Sequence, residues 1–417
     1  MYRKTVLNNG IRIVTERLPQ FHSVSTGLWV NVGSRDEQPD ERGYTHFIEH
    51  MFFKGTERRS ALDIAKELDG VGGFANAFTT KEQMCLHAKV LDAHLPLVVD
   101  ILTDIFLNSI FDPGEIDRER QVILQEISMV EDTPDEYIHV LHQEHYWKDN
   151  PLGYPIYGTA ESVQEATRKN LLDYLQRTFH PGEVVVAAAG NVDHERFVDL
   201  VAPRMANFNG SRLKFPRQAP DNHHVVNIIP KALEQVHVCL GWRGCSSLDG
   251  NRFACHLLNV MLGGSMSSRL FQEIREKRAL AYSVYSFVNS HVDTGMMGVY
   301  AGTGVAQIQE TLDIVGEELV RLTQQPFGEV ELRAAKEHFK GSMYLNAESN
   351  DSRMHRLSKN EFLFGRYVPF EEVEDKIEQT TSEAIQDWLR SAFQKKELAL
   401  VLLGPVEPGA LDVSRYL

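Results

Sequence analysis

Two histidines and a glutamate stand at a spacing that suits metal chemistry. The segment His46-Phe47-Ile48-Glu49-His50 has the form His-x-x-Glu-His. On a helix, residues i and i+4 lie on one face one turn apart, so His46 and His50 can both direct an imidazole at a single metal ion while Glu49 flanks them. This arrangement indicates half of a catalytic zinc site.

The residues around this motif predict a buried helix. Gly55 is a natural end to that helix, and apolar side chains cover much of its circumference: Tyr44, Phe47, Ile48, Met51, Phe52 and Phe53. Histidine and carboxylate side chains cost several kcal/mol in an apolar setting unless they are paired or bound to a metal. A bound cation therefore explains the motif better than chance does, although the motif is short and the chain contains 17 histidines.

A tetrahedral catalytic site needs a third protein ligand, and the segment 115–129 can supply it. Its apolar pattern predicts a second helix, on which Glu119 and Glu126 are two turns apart and share a face. One carboxylate could bind the metal while the other orients a histidine. Spacing alone does not choose between the two, and a solvated helix face is the plain alternative for both.

With these residues the chain resembles the pitrilysin/insulysin (inverzincin) metallopeptidases. Within that family it is similar to the short bacterial branch, which resembles the catalytic subunit of the mitochondrial processing peptidase. The resemblance covers essentially the whole chain and includes the segments 72–79, 150–155 and 267–278. In this family the third ligand is a glutamate at a set distance after the second histidine, and that distance selects Glu126. A further family glutamate stands two helical turns earlier, at Glu119.

The resemblance implies a zinc metalloendopeptidase. In such an enzyme Zn²⁺ is bound by His46, His50 and Glu126, Glu49 is the general base for the attacking water, and Glu119 supports a ligand. Two other functions stay open: a non-catalytic scaffold or partner subunit of a processing-peptidase-like complex, and a zinc hydrolase for a non-peptide amide. Scaffold chains usually lack part of the ligand set, so the complete set favours the peptidase.

The two halves of the chain repeat one pattern. The segment that begins at Tyr174 matches the one that begins at Trp388, and 114–116 matches 328–330 at the same offset, which is close to half the chain length. Each half alternates strand-like runs with long amphipathic helices, which predicts an α+β fold of two homologous domains, each a mostly antiparallel sheet packed with helices. The polar segment 207–221, broken by Gly and Pro, predicts the boundary.

We therefore expect a zinc-binding catalytic domain at 1–212 and a homologous domain without metal ligands at 213–417. At the offset between the halves, Glu126 falls on Lys340 and Glu119 falls on Arg333. A requirement of the fold would apply to both copies, so carboxylates present in one half alone favour chemistry over structure. The prediction is one metal ion per chain.

An extended peptide substrate would need a free strand edge, because main-chain pairing gives affinity with little dependence on side chains. The run Phe74, Ala75, Asn76, Ala77 and Phe78 is a plausible edge and resembles the substrate-pairing strand of the family, with an ordinary core strand as the alternative. The glycines at 263–264 resemble the family's glycine-rich loop, although a turn that ends a helix has the same composition.

The segment 275–282 resembles an Arg/Tyr pair that full-length family members carry in their last domain, facing the zinc domain across a closed chamber. The pair here is Arg275 and Tyr282. By spacing alone, a solvated arginine and a core tyrosine are equally good interpretations. Because this chain is about half the length of those members, the resemblance implies a chamber made by two chains, either a homodimer or a heterodimer with a related chain.

Composition narrows the classes of partner and cellular compartment that this protein could have. The formal net charge of −15 and the absence of a basic stripe argue against a nucleic-acid partner. Four cysteines without C-x-x-C spacing predict free thiols in a reducing compartment: Cys85, Cys239, Cys245 and Cys255. With no signal region and no apolar run long enough to cross a bilayer, we expect a cytoplasmic protein without a membrane partner.

Overall fold

The computed structural model describes residues 1–210, 216–325, 327–407, 409, 411 and 412. The chain forms two compact units, each assembled from three segments. The first contains Met1–Ser128, Tyr154–Arg217 and Tyr344–Tyr367, and the second contains Met129–Gly153, Gln218–Met343 and Val368–Leu417. The predicted domain boundary between residues 212 and 213 lies outside the described residues.

Six strands form the sheet of the first unit: β1 (Tyr2–Val6), β2 (Arg12–Arg17), β3 (Ser23–Val30), β4 (Phe74–Thr79), β5 (Met84–Leu91) and β6 (Val184–Gly190). Their order across the sheet is β1-β2-β6-β3-β5-β4. Neighbours run antiparallel except β2 and β6, which run parallel. The central strands β3 and β6 are buried along almost their whole length, as strands covered on both faces must be.

Five strands form the sheet of the second unit: β7 (Val225–Pro230), β8 (Val236–Arg243), β9 (Ala281–Ser290), β10 (Gly295–Thr303) and β11 (Ala399–Gly404). Their order is β7-β11-β8-β10-β9, and again one pair alone, β7 with β11, runs parallel. The offset that relates the two halves of the sequence carries β6 onto β11. The predicted α+β fold, with two mostly antiparallel sheets packed with helices, is confirmed.

The α-helices follow in chain order: α1 (Tyr44–Phe52), α2 (Ala61–Asp69), α3 (Leu95–Asn108), α4 (Pro113–Glu131), α5 (Pro134–Tyr146), α6 (Ala160–Glu165), α7 (Arg168–Thr178), α8 (His194–Met205), α9 (Arg252–Leu262), α10 (Ile308–Gln324), α11 (Glu329–Asn346), α12 (Asn350–Phe364), α13 (Phe370–Gln379) and α14 (Ser382–Ala392). Helix α7 falls on α14 at the same offset. Across the described part of the chain, none of these helices is both long enough and apolar enough to span a bilayer.

Each half of the sequence contributes one helix to the unit that is built mainly from the other half. Helix α12 packs on β6, β3 and β2 of the first unit, where Met354 joins an apolar cluster with Trp29. Helix α5 packs on β11 and β8 of the second unit, where Ile138 joins a cluster with Cys239. Since α5 and α12 are related by nearly the same offset, the exchange is reciprocal, and the borders of the units fall in the last turns of α4 and α11.

Helix α1 carries the His-x-x-Glu-His motif, and both its start and its orientation are fixed by local chemistry. It begins after Gly43, which has a φ of +86°. A Cβ added there would lie only 2.6 Å from the backbone oxygen of Tyr157, so the position requires glycine. The Glu37 carboxylate accepts hydrogen bonds from the backbone N–H groups of Gly43 and Thr45, both at 2.8 Å. One face then enters the core through four buried side chains, Phe47, Ile48, Met51 and Phe52. The polar side chains of the motif are therefore left on the opposite face.

Candidate metal centre

Helices α1 and α4 bring two imidazoles and one carboxylate together. The rings of His46 and His50 lie 4.7 Å apart between centroids, on successive turns of α1. Glu126 of α4 directs Oε2 at both, 3.7 Å from His46 Nε2 and 3.6 Å from His50 Nε2. Among the described residues, these three form the one group of acidic, histidine or cysteine side chains whose ligand atoms converge as a metal site requires, within 4.8 Å of one another.

The spacing of these atoms fits a tetrahedral zinc ion. Bonds of about 2.0–2.1 Å to nitrogen and oxygen in tetrahedral geometry separate the ligand atoms by about 3.4 Å. The two measured nitrogen–oxygen distances exceed this by only a few tenths of an ångström. The Glu126 side chain is 37% exposed, so the site is open on one side to water or a substrate. Three protein ligands with one open side are the composition of a catalytic centre rather than a closed structural one.

Burial keeps His46 in the neutral form that an imidazole needs in order to bind a metal ion. Desolvation, and after it the charge of His50, lower the pKa of His46 to about 4. The imidazole is therefore neutral near pH 7, and a ring nitrogen keeps its lone pair.

Glu119 supports the second histidine from the side away from Glu126. The Nδ1–H of His50 donates to Glu119 Oε2 at 3.0 Å, and this bond leaves the Nε2 lone pair directed toward Glu126. The Glu119 residue is only 5% exposed. Its second oxygen, Oε1, lies 2.6 Å from Nζ of Lys54. Lys54 was not predicted from the sequence to take part, although its position four residues after His50 is a spacing at which side chains meet.

Glu49 lies beside the ligand group without belonging to it. Burial raises its pKa, and the negative charge of Glu126 adds to this, while a hydrogen bond from Thr79 and the charge of His50 oppose it. The Thr79 hydroxyl donates to Glu49 Oε2 at 2.5 Å. Thr79 is the last residue of β4, so this bond connects the edge strand to the centre. Its role was not predicted, because the contact depends on how β4 packs against α1.

The predicted substrate strand is found at the edge of its sheet. β4 pairs with β5 along one side, and it is the last strand in the order of the sheet. Side chains alternate along it: Phe74 and Asn76 are exposed, whereas Ala77 is buried and Ala75 and Phe78 are intermediate. The position is compatible with strand addition, and the role of the five residues in substrate binding stays a prediction.

Arg275 and Tyr282 meet in the second unit. The Arg275 guanidinium lies over two rings, 4.6 Å from the centroid of Tyr282 and 4.7 Å from that of Phe271, and its side chain is 35% exposed. Tyr282 is 77% exposed at the start of the edge strand β9, so it is not a core aromatic residue. The two glycines at 263–264 directly follow α9, where a Cβ on Gly263 would lie 2.3 Å from the Ser286 nitrogen.

Two models of known families match the sequence in succession. Residues 12–160 match the model described as insulinase, peptidase family M16, and residues 165–339 match the peptidase M16 inactive domain. Lys340, at the position that corresponds to Glu126, directly follows the second match.

Curated relatives are similar along nearly the whole chain. The uncharacterized zinc protease YmxG of Bacillus subtilis is 38% identical over 405 residues, which cover 97% of this chain and 98% of that protein. The uncharacterized zinc protease SCO5738 of Streptomyces coelicolor is 39% identical over 415 residues, which cover 97% and 90%.

Solved structures share the fold at low identity. A protease from Helicobacter pylori superposes with a TM-score of 0.88 at 19% identity, covering 97% of this chain and 99% of that one. A peptidase M16 inactive domain from Pseudomonas fluorescens gives a TM-score of 0.90, also at 19% identity, with 98% of both chains covered.

Proposed function

Because the chain belongs to the insulinase-type peptidase family M16, we propose that it is a zinc-dependent endopeptidase acting on peptides or unfolded segments. The observation that carries the proposal is the convergence of His46, His50 and Glu126 on one point, with Glu49 beside them and outside the ligand group. Zinc is the metal in the names of the relatives, and the donor set of two imidazoles and a carboxylate suits it.

Different residues of the chain have different roles in the proposed reaction. Zinc, when bound, polarises a scissile carbonyl and lowers the pKa of water. Glu49 accepts the proton of the attacking water and returns it to the leaving amine. Thr79 holds the Glu49 carboxylate at the end of β4, and the free edge of that strand pairs with the main chain of an extended peptide beside the centre.

The proposed active site is completed by a second copy of the chain. Two copies enclose the peptide, and Arg275 and Tyr282 of one copy orient it over the metal of the other. The exposure of Tyr282 and the stacking of Arg275 on its ring support this role, since a substrate-orienting pair must be accessible and fixed relative to each other. A heterodimer with a related chain is the alternative assembly.

The test is cleavage of a mixed peptide library, read by mass spectrometry, with and without a chelator. The wild-type protein should carry close to one zinc per chain, cleave the library, lose activity to the chelator and regain it with zinc. Glu49→Gln should keep zinc and fold but lose about 100-fold or more in activity, because the general base is gone. His50→Ala and Glu126→Gln should lose most of the zinc.

Matched controls are Glu57→Gln and His22→Ala, which change exposed side chains of the same types away from the site. If zinc-loaded wild type and Glu49→Gln are equally inactive, the scaffold function replaces the peptidase. If the metal content is unchanged in both ligand variants, the metal site lies elsewhere.

A further inference from the structure

We infer that Lys54 is a positioning residue of the metal centre, acting on His50 through Glu119. The inference rests on the proposed function, because it concerns how the chain prepares a histidine for zinc. The contacts that carry it form one continuous chain: the Lys54 ammonium lies 2.6 Å from Glu119 Oε1, and Glu119 Oε2 accepts the Nδ1–H of His50 at 3.0 Å.

The first step concerns the charge of Glu119. Its side chain is 7% exposed, and a carboxylate with so little water needs partners that compensate its charge. His50 offers one N–H donor, which is neutral when the imidazole binds a metal. Lys54 is the partner that brings a full positive charge, and its own side chain, 29% exposed, remains partly solvated. The Lys54 ammonium is therefore the contact that compensates the negative charge of Glu119 at this poorly solvated position.

The second step concerns direction. A carboxylate held at one oxygen can still rotate, whereas a carboxylate held at both oxygens by two different side chains has much less freedom to do so. Lys54 follows the end of α1, where its backbone N–H bonds to the Met51 oxygen, and Glu119 belongs to α4. The ammonium thus fixes Oε1, which leaves Oε2 aimed at His50. The His50 ring is then held with Nε2 toward Glu126, in the orientation the metal needs.

The alternative is that Lys54 only joins α1 to α4 and has no specific effect on metal binding. A double-mutant cycle separates the two, because two residues that act through one contact do not have independent effects. The variants are Lys54→Met, which keeps most of the side-chain volume without the charge, Glu119→Gln, and the double variant. Lys54→Arg is the conservative variant, which keeps the charge and can still reach the carboxylate. Lys66→Met, in the separate helix α2, is the matched control.

The readout is the zinc affinity of the metal-free full chain, measured by competition with a chromogenic chelator, together with its thermal unfolding. Loss of a group that orients a metal ligand typically weakens metal binding about 10–100-fold. We expect about tenfold weaker binding for Lys54→Met, a value near wild type for Lys54→Arg, and no further loss when Lys54→Met is added to Glu119→Gln.

The inference is overturned if Lys54→Met binds zinc as wild type does, or if its effect multiplies that of Glu119→Gln. These results leave the proposed peptidase intact, because they presuppose a wild-type protein that binds zinc. If the wild type itself binds no zinc, the proposed function fails and the cycle has no reference state, which also overturns the inference. Unchanged unfolding temperatures would show that the variants report on the site rather than on the fold.

Discussion

At the scale of single residues, the Thr79 hydroxyl opposes the effect of burial on the pKa of the proposed base, Glu49. Glu49 is subject to two opposing influences: burial raises its pKa, and the hydrogen bond from the Thr79 hydroxyl lowers it. Glu49 must be ionised to accept a proton from water, so the pKa of Glu49 should govern the acidic limb of the pH profile of kcat/KM. A threonine on an edge strand thereby extends the pH range in which the base is active.

Replacing Thr79 with valine should therefore move the acidic limb to higher pH. The variant keeps the shape of the side chain but removes the donor, so the pKa of Glu49 should rise and activity should begin to fall at a higher pH than in wild type. Peptide cleavage between pH 5 and 8 measures the shift. Thr79→Ser retains the hydroxyl and should follow the wild-type profile. A valine variant whose acidic limb coincides with that of wild type would contradict the assignment of Glu49 as the base.

At the scale of secondary-structure elements, helix α5 places an uncharged histidine in the core of the second unit. His142 has no exposed surface, and its Nε2–H donates to the Ala399 oxygen at 3.1 Å. Strand β8 makes room for the ring at Gly241, where a Cβ would lie 2.3 Å from the imidazole. Burial lowers the pKa of His142 to about 4, since the charged form would lose its hydration. The packing of α5 on this sheet therefore requires the neutral ring.

This histidine should make the unit sensitive to acid. In the unfolded chain His142 binds a proton near its ordinary pKa of about 6.5, whereas in the folded chain it does so only near 4. Between these values the unfolded state binds more protons, so the free energy of unfolding falls on acidification, by about 1.4 kcal/mol per pH unit at most for one group. Above pH 6.5 the contribution is constant.

The measurement is urea unfolding of the chelator-treated protein from pH 4.5 to 7.5. His142→Gln keeps an N–H donor but cannot titrate, so its stability should decline less steeply below pH 6.5 than that of wild type, although it starts from a lower value. His22→Gln, at an exposed bend, should retain the wild-type slope. Equal slopes for wild type and His142→Gln would show that another group controls the acid transition.

The secondary-structure elements could be predicted from the sequence, but their packing could be predicted only in part. Periodicity and duplication predicted the two sheets and their helices because each half contains the same alternation of strands and amphipathic helices. The exchange of α5 and α12 could not be predicted from the sequence, since either helix presents an apolar face that either sheet could cover. At the candidate metal centre, helical spacing predicted His46 and His50 as ligands, but Glu119 and Glu126 share a face. Only the family resemblance favoured Glu126 over Glu119 as the third ligand.

Contacts between elements were also beyond the sequence. Thr79 lies in the predicted edge strand, and Lys54 lies at the end of the predicted helix that carries the motif. The sequence did not indicate which residue either side chain contacts. The Thr79–Glu49 hydrogen bond and the Lys54–Glu119 ion pair depend on how a strand edge and a second helix pack against α1, which no local pattern encodes. Helical spacing therefore predicted the two candidate histidine ligands, whereas the contacts of Thr79 and Lys54 are defined by packing.

At the scale of the whole molecule, one copy of the duplicated unit retains the ligands and the other has replaced them. Lys340, at the position of Glu126, lies 2.7 Å from Glu337 and 2.6 Å from Glu378. The second copy thus has a side-chain cation at the sequence position where the first has the candidate ligand Glu126, and two neighbouring carboxylates form ion pairs with it. Among the described residues the candidate metal ligands all lie in the first unit. We propose that the second unit has another task, which is to present Arg275 and Tyr282 to the centre of a partner chain.

Mixing two inactive variants should test this division of labour. Glu49→Gln lacks the base but has an intact Arg275 and Tyr282, and Tyr282→Phe lacks the hydroxyl but has an intact metal centre. If the pair acts on the centre of the other copy, a mixed dimer contains one complete site. When the two proteins exchange freely, half of the dimers are mixed and each has one working site of two. About a quarter of wild-type activity should therefore return. Subunit exchange is verified by native mass spectrometry of differently tagged chains, and a mixture of Glu49→Gln with Glu126→Gln, both defective at the same centre, is the control that should stay inactive. The composite site is wrong if Tyr282→Phe alone is fully active, or if the mixture stays inactive although mixed dimers are present.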